Sequence, residues 1–302
     1  MQTSPTLIQR LFSRNIIALI VFAILNYTLG VGIVRYQGGT INWSIFTLGI
    51  LWTVCLLLGY AYIYEYFDLL SPGPLSTTPK TTAEVADSKR QQSILLTIGL
   101  ALLAISAVFA VFFYRDGYLN SALVLVVFAG LSLGLIQVLP AFRRITAGFH
   151  ELIAALILTN LIPAAGYLLQ VSEFSRLVSM STFPLTALFL VLLIAYEFPD
   201  YARDCRNCYP SLLYKVSWQV GVRMIYILAL AAYLLIGLAF LSGLAWRLVW
   251  PFLLTSPLAV FVIFQLNQIE NGAKPNWKLF TLSATALYLL AGYLIAYSFW
   301  TA

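Results

Sequence analysis

Nine uniformly apolar runs, each close to the length a helix needs to cross a bilayer, leave this sequence few ways to fold. A hydrocarbon core of about 30 Å takes roughly 20 helical residues, and a backbone inside it has no water to bond, so each run must close its own hydrogen bonds. The runs fall near 15–35, 43–67, 93–114, 119–139, 151–170, 182–199, 221–242, 245–266 and 278–299. They predict an all-α membrane protein with nine transmembrane helices in a single domain over 1–302. Transmembrane barrel strands alternate apolar with polar residues, and these runs do not. Only 9% of the residues are charged and 61% are hydrophobic, so lipid is the solvent for most of the chain.

Arg10 and Arg14 precede the first run and no small-residue cleavage site follows it, so it reads as an uncleaved helix rather than a signal peptide. With a cytoplasmic N-terminus, the inner loops hold Arg10, Arg14, Lys80, Lys89, Arg90, Arg143, Arg144, Arg203, Arg206, Lys215, Arg223, Lys274 and Lys278, which is 13 of the 17 Lys and Arg. Arg35, Arg115, Arg176 and Arg247 stay outside. An excess of basic residues marks the cytoplasmic side, which sets the expected orientation, and the expected location is a bacterial inner membrane. The net charge of +6 needs no nucleic-acid partner, because anionic headgroups and an anionic substrate account for it. The long inner connections, 71–92 with Pro72, Pro74 and Pro79, and about 200–220, place the expected function on the inner face.

Cys55, Cys205 and Cys208 give no disulfide framework. Cys205 and Cys208 are a lone CxxC in a chain whose single histidine is His150, so small loop residues in a reducing compartment are the simpler reading than zinc ligands.

Acidic residues are costly near a bilayer and mark function there. The eleven are Glu65, Asp68, Glu84, Asp87, Asp116, Glu151, Glu173, Glu197, Asp200, Asp204 and Glu270. Two groups stand at matching places, the inner ends of the second and sixth crossings: Tyr64-Glu65-Tyr66-Phe67-Asp68 and Tyr196-Glu197-Phe198-Pro199-Asp200, continuing to Asp204. Residues three or four apart share a helix face, so Glu65 with Asp68 and Asp200 with Asp204 each offer a carboxylate pair. Facing pairs repel unless cations lie between them, and Mg²⁺ takes oxygen ligands that it shares with phosphates, so the implied ligand is a diphosphate. The plainer alternative is that the acids mark where two helices leave the membrane and pair with loop arginines. The motif repeats 132 positions apart, from Asp68 to Asp200, which suggests pseudo-repeat halves of about 15–140 and 151–270 with a last helix at about 278–299. Arg143, Arg144, Arg203, Arg206, Lys80, Lys89 and Arg90 lie in the same inner layer, and arginine's planar fork suits phosphate oxygens.

These residues resemble the UbiA-type intramembrane prenyltransferases, which have nine helices and Asp-rich motifs at the ends of helices 2 and 6. Leu29-Gly30-Val31-Gly32 and Gly38-Gly39, leading to Tyr64-Glu65-Tyr66-Phe67-Asp68, are similar to the approach to the first motif, above all in the dihydroxynaphthoate branch. Pro74-Leu75-Ser76 resembles the turn that follows it. Leu139-Pro140-Ala141-Phe142-Arg143-Arg144-Ile145-Thr146 and Gly148-Phe149-His150-Glu151 resemble the family's central stretch, and Phe198-Pro199-Asp200-Tyr201-Ala202-Arg203-Asp204 its second motif. Tyr64 and Pro72 replace the Asn and the last Asp of the family's first motif, and the lysine that follows the second motif is missing, so the first motif is degenerate.

The resemblance implies a prenyltransferase that moves an isoprenyl group from an allylic diphosphate to a hydrophobic acceptor, aromatic or a quinone precursor, with Mg²⁺ as cofactor. Asp68, Asp200 and Asp204 would be catalytic, with Glu65 completing the metal ligands. Arg143, Arg144, Arg203, Arg206 and Lys80 would bind diphosphate, and Tyr64, Tyr196 and Tyr201 would line the cavity. The alternatives are a non-catalytic lipid- or quinone-binding subunit and a transporter of an anionic substrate; the transporter would show broken helices, for which Pro163 and Pro184 are the candidates.

Overall fold

The computed structural model describes residues 14–70, 82–142, 148–207 and 211–302. Among them the chain is helical, without strands. Six long helices come first: α1 (Arg14–Tyr36), α2 (Trp43–Leu70), α3 (Thr82–Arg115), α4 (Ser121–Val138), α5 (His150–Leu168) and α6 (Arg176–Glu197). Two short ones follow, α7 (Tyr201–Asn207) and α8 (Leu212–Val216), and then α9 (Trp218–Leu241), α10 (Trp246–Leu253), α11 (Ser256–Glu270) and α12 (Trp277–Thr301). With α10 and α11 counted together, nine spans among the described residues are long and apolar enough to cross a membrane, as the hydropathy predicts.

Differences from the predicted boundaries have local causes. The sixth crossing starts at Arg176 rather than near 182, because Ser175 caps it through Leu177 N–H at 3.3 Å and Ser181 turns its hydroxyl back on Leu177 O at 2.8 Å. A polar stretch that bonds its own backbone stays helical in lipid. The eighth crossing is two helices, since Pro257 has no N–H to give the carbonyl of Leu253. Thr255 closes that joint by donating to Phe252 O at 2.6 Å and sharing a hydrogen bond with Tyr233 Oη at 2.9 Å. In α5 the helix widens to a π stretch at Ile157–Leu161, just before Pro163, which cannot donate to the carbonyl of Thr159. Pro184 leaves α6 continuous.

The interior is built on α1, α6 and α12, each more than half buried along its apolar window. Phe22, Phe189 and Tyr288 meet there with ring centroids 4.8 to 5.5 Å apart. Asn26 donates to Tyr288 Oη at 2.7 Å. Helix α1 lies against α5 at unusually short range. Gly30 faces the backbone of Pro163 and Gly166 faces that of Tyr27, so neither position has room for a Cβ. Small residues let membrane helices approach closely, where packing replaces the hydrophobic drive. Helix α3 leans on α2 and turns Val108 and Val111 outward, toward lipid.

Candidate functional site

A cavity of about 380 Å³ lies among α1, α2, α4 and α5. The α2 wall is one helical stripe, Trp52, Leu56, Tyr60, Tyr64 and their neighbours as far as Glu65, which at 1.5 Å per residue extends about 20 Å. Gly130, Gly134, Ala154 and Ala165 line the other walls, and their small side chains leave the space open. The π stretch of α5 contributes Ile157, Leu158 and Leu161. Behind it, Thr159 and Thr186 share a hydrogen bond at 2.8 Å, Asn160 donates to Thr186 Oγ1 at 2.7 Å, and Thr182 donates to Asn160 Oδ1 at 2.9 Å. That network fixes the bulge against α6.

Apart from Tyr60 and Thr53, whose hydroxyl is spent on Gly49 O at 2.8 Å, the polar residues of the cavity gather at the end where α2 and α4 finish and α5 begins. Glu65 and Tyr64 reach it from α2, Gln137 from α4 and His150 from the start of α5. The Tyr64 and His150 rings lie 5.4 Å apart, and Gln137 donates to His150 O at 2.9 Å, which ties the end of α4 to the start of α5. Among the described residues no three His, Cys, Asp or Glu side chains cluster.

The second motif is held by aromatic packing. Phe198, 2% exposed, sits edge-on to Trp218 at 4.4 Å and against Phe280 at 6.0 Å, fixing the tight turn Phe198–Asp200. Asp200 is half exposed and pairs with Arg203 at 3.0 Å. Asp204 is buried, 3.9 Å from the same guanidinium, and accepts from the Ser211 hydroxyl. Glu197 accepts from Leu213 N–H at 2.7 Å and also meets the Glu151 carboxyl in a hydrogen bond. Ser211 caps α8, so Glu197, Asp204 and Ser211 together hold the start of that short helix. Lys215 on α8 lays its stem along Gly148.

Of the residues singled out from sequence, Glu65 and Tyr64 come together at the polar end of the cavity. Asp68 is exposed one turn further along α2, and Arg206 is exposed on α7. Asp200, Asp204 and Arg203 form their own ion-pair group, outside the cavity's lining. Tyr196 bonds Thr285 at 3.0 Å and Tyr201 packs on Trp218 at 5.8 Å, and neither lines this cavity. Arg143, Arg144, Lys80 and Cys208 lie outside the described residues. Sequence reasoning missed Gln137, Trp52, Gly134 and the Glu151 to Glu197 contact. The spacing of 52, 56, 60 and 64 along one helix face was the available signal for the stripe.

No protein-family model and no curated protein matches the chain. Two solved structures of a UbiA homolog from Archaeoglobus fulgidus, one of them bound to DMAPP and Mg²⁺, align over 96% of this chain and 99% of theirs, with 19% identity and TM-scores of 0.55 and 0.53. The chain has the UbiA fold. In that fold the stripe on α2, the cavity beside it and the motif at the end of α6 belong to one all-helical membrane bundle.

Proposed function

We propose that the protein transfers an isoprenyl group from an allylic diphosphate to a lipophilic acceptor, an aromatic ring or quinone precursor, in a Mg²⁺-dependent reaction on the cytoplasmic side of a bacterial inner membrane. One observation carries the reading. The cavity is a long, mostly apolar slot in which Glu65, Tyr64, Gln137 and His150 gather toward one end, which suits a ligand with a hydrocarbon tail and a charged head. The shared fold with a homolog whose structure holds DMAPP and Mg²⁺ supports it.

The donor chemistry suits Mg²⁺, which takes one or two carboxylates and completes its shell with water and phosphate oxygens. In this reading Asp200 and Asp204 form one ligand pair, Glu65 and Asp68 the other, and Arg143, Arg144, Arg203, Arg206 and Lys80 answer the diphosphate. These carboxylates would hold Mg²⁺, which would supply charge neutralisation for the departing diphosphate. The allylic C–O bond breaks, and its electron pair leaves with the diphosphate. The Tyr64 ring would face the allylic cation, and the apolar walls keep water from capturing it before an acceptor carbon forms the new C–C bond and gives up its proton to the departed diphosphate.

The test is diphosphate release by purified protein from dimethylallyl, geranyl and geranylgeranyl diphosphates with Mg²⁺ across a panel of aromatic and quinone-precursor acceptors. Release that falls at least about a hundredfold in Asp200→Asn and Glu65→Gln is the expected result. A second reading, a non-catalytic lipid- or quinone-binding subunit, is favoured by the engagement of Arg203 with both aspartates and of Glu197 and Asp204 with α8. Binding without release for every acceptor would establish it instead.

A further inference from the structure

Tyr60 is placed differently from the other residues of the α2 stripe. It stands between Leu56 and Tyr64, and its hydroxyl crosses to the opposite wall to donate to Leu131 O on α4 at 3.2 Å. Its ring lies flat on Gly134, where a Cβ would come within 2.8 Å of the ring carbons. The side chain is therefore a crossbar, anchored on α2, seated on a glycine of α4 and tied to the backbone one turn away. Counted along the helix rise, it stands between an inner part of the slot of about 8 Å, from Tyr60 to Glu65, and an outer part of about 12 Å, from Tyr60 to Trp52. The outer part continues past the bar, lined by Thr53, Leu56 and Ala165.

From this geometry we infer that Tyr60, braced on Gly134, is the specificity-determining residue that sets how long a hydrocarbon tail the cavity accepts, with the outer part held in reserve behind it. The inference rests on the prenyl-diphosphate reading of the cavity for its choice of ligand. A tail that enters from the polar end runs along α2 until it meets the ring. Every carbon added before that point buries apolar surface and tightens binding, and carbons beyond it reach the outer part only at the cost of displacing the ring and breaking its bond to Leu131. Replacing the ring by a small side chain joins the two parts.

The experiment measures binding to the full-length protein in detergent of dimethylallyl, geranyl, farnesyl and geranylgeranyl diphosphates, and of the same four chains as alcohols. In the wild type, affinity rises with chain length to a limit and then levels off. In Tyr60→Ala the first chain beyond that limit gains at least about fivefold, while Tyr60→Phe, which keeps the ring, leaves the limit in place. Tyr60→Leu serves the same purpose should the alanine variant fail to fold. Adding Leu56→Phe to Tyr60→Ala refills the space beyond the bar and restores the wild-type limit. An unchanged limit in both Tyr60→Ala and Tyr60→Leu overturns the inference, as does the lack of any chain-length limit in the wild type. Alcohols that show the limit and its shift while no diphosphate binds would uphold the crossbar and overturn the prenyl-diphosphate reading.

Discussion

The carboxyl groups of Glu151, in the first turn of α5, and Glu197, in the last turn of α6, are hydrogen-bonded to each other. The second oxygen of Glu151 is buried with no hydrogen-bond partner. Glu197 spends its other bond on Leu213 N–H at 2.7 Å, so one side chain joins α5, α6 and α8.

Glu197→Gln keeps a donor toward Glu151 and an acceptor toward Leu213, and is expected to unfold within about 1 kcal/mol of the wild type. Glu197→Ala strands both partners and is expected to cost about 1 to 3 kcal/mol. Thermal unfolding in detergent micelles checks both, and equal losses in the two variants would contradict the shared bond.

Asp200 and Asp204 separate stability from chemistry. Asp200 is half exposed on an ion pair with Arg203, whereas Asp204 is buried and bonded to Ser211. Asp200→Asn is expected to change stability by less than about 1 kcal/mol, and Asp204→Asn to cost about 1 to 3 kcal/mol. Both are expected to lose diphosphate release, so parallel unfolding and turnover assays tell a ligand aspartate from one that only braces α8.

Gly30 and Gly237 form a matched pair of substitutions. Gly30 meets the backbone of Pro163, and Gly237 on α9 has nothing within 4 Å of where a Cβ would stand. Gly30→Ala is expected to cost about 1 to 3 kcal/mol by driving α1 off α5, while Gly237→Ala stays neutral or gains up to about 1 kcal/mol from helix propensity. Detergent unfolding midpoints decide it.

Thr186 carries the network behind the π stretch, accepting from Asn160 at 2.7 Å and sharing a bond with Thr159 at 2.8 Å. Thr186→Val keeps the shape and removes both contacts. The expected cost is about 0.6 to 2 kcal/mol, the range for polar contacts between membrane helices. Amide exchange should accelerate at Ile157–Leu161 ahead of the rest of α5, and uniform exchange along that helix would refute the role.

The spans were legible from sequence because lipid imposes one demand on every stretch of backbone, and each apolar run answers it without help from the others. The acids at the ends of α2 and α6 were legible because charge near a bilayer is costly enough to stand out. What Glu197 and Asp204 do was not legible. Each reads as a motif acid, yet their hydrogen bonds go to Leu213 and Ser211, partners in a helix that only the folded chain brings near. Residues Gln137, Gly134 and Trp52 were missed for a related reason: in a chain this apolar, a residue facing a cavity has the same composition as one facing lipid. The widening of α5 needed Pro163 to be read together with Thr159, Thr182 and Thr186, two of which lie on another helix.

Among the described residues α4 and α5 are the shortest crossings, 18 and 19 residues, or about 27 and 28 Å by helix rise. Both fall slightly short of a hydrocarbon layer of about 30 Å, so the membrane beside them is pinched or the two helices stand upright in it. These are the walls that end at Gln137 and begin at His150. In a layer of about that thickness, the helix ends that carry Gln137 and His150 stand close to the headgroups.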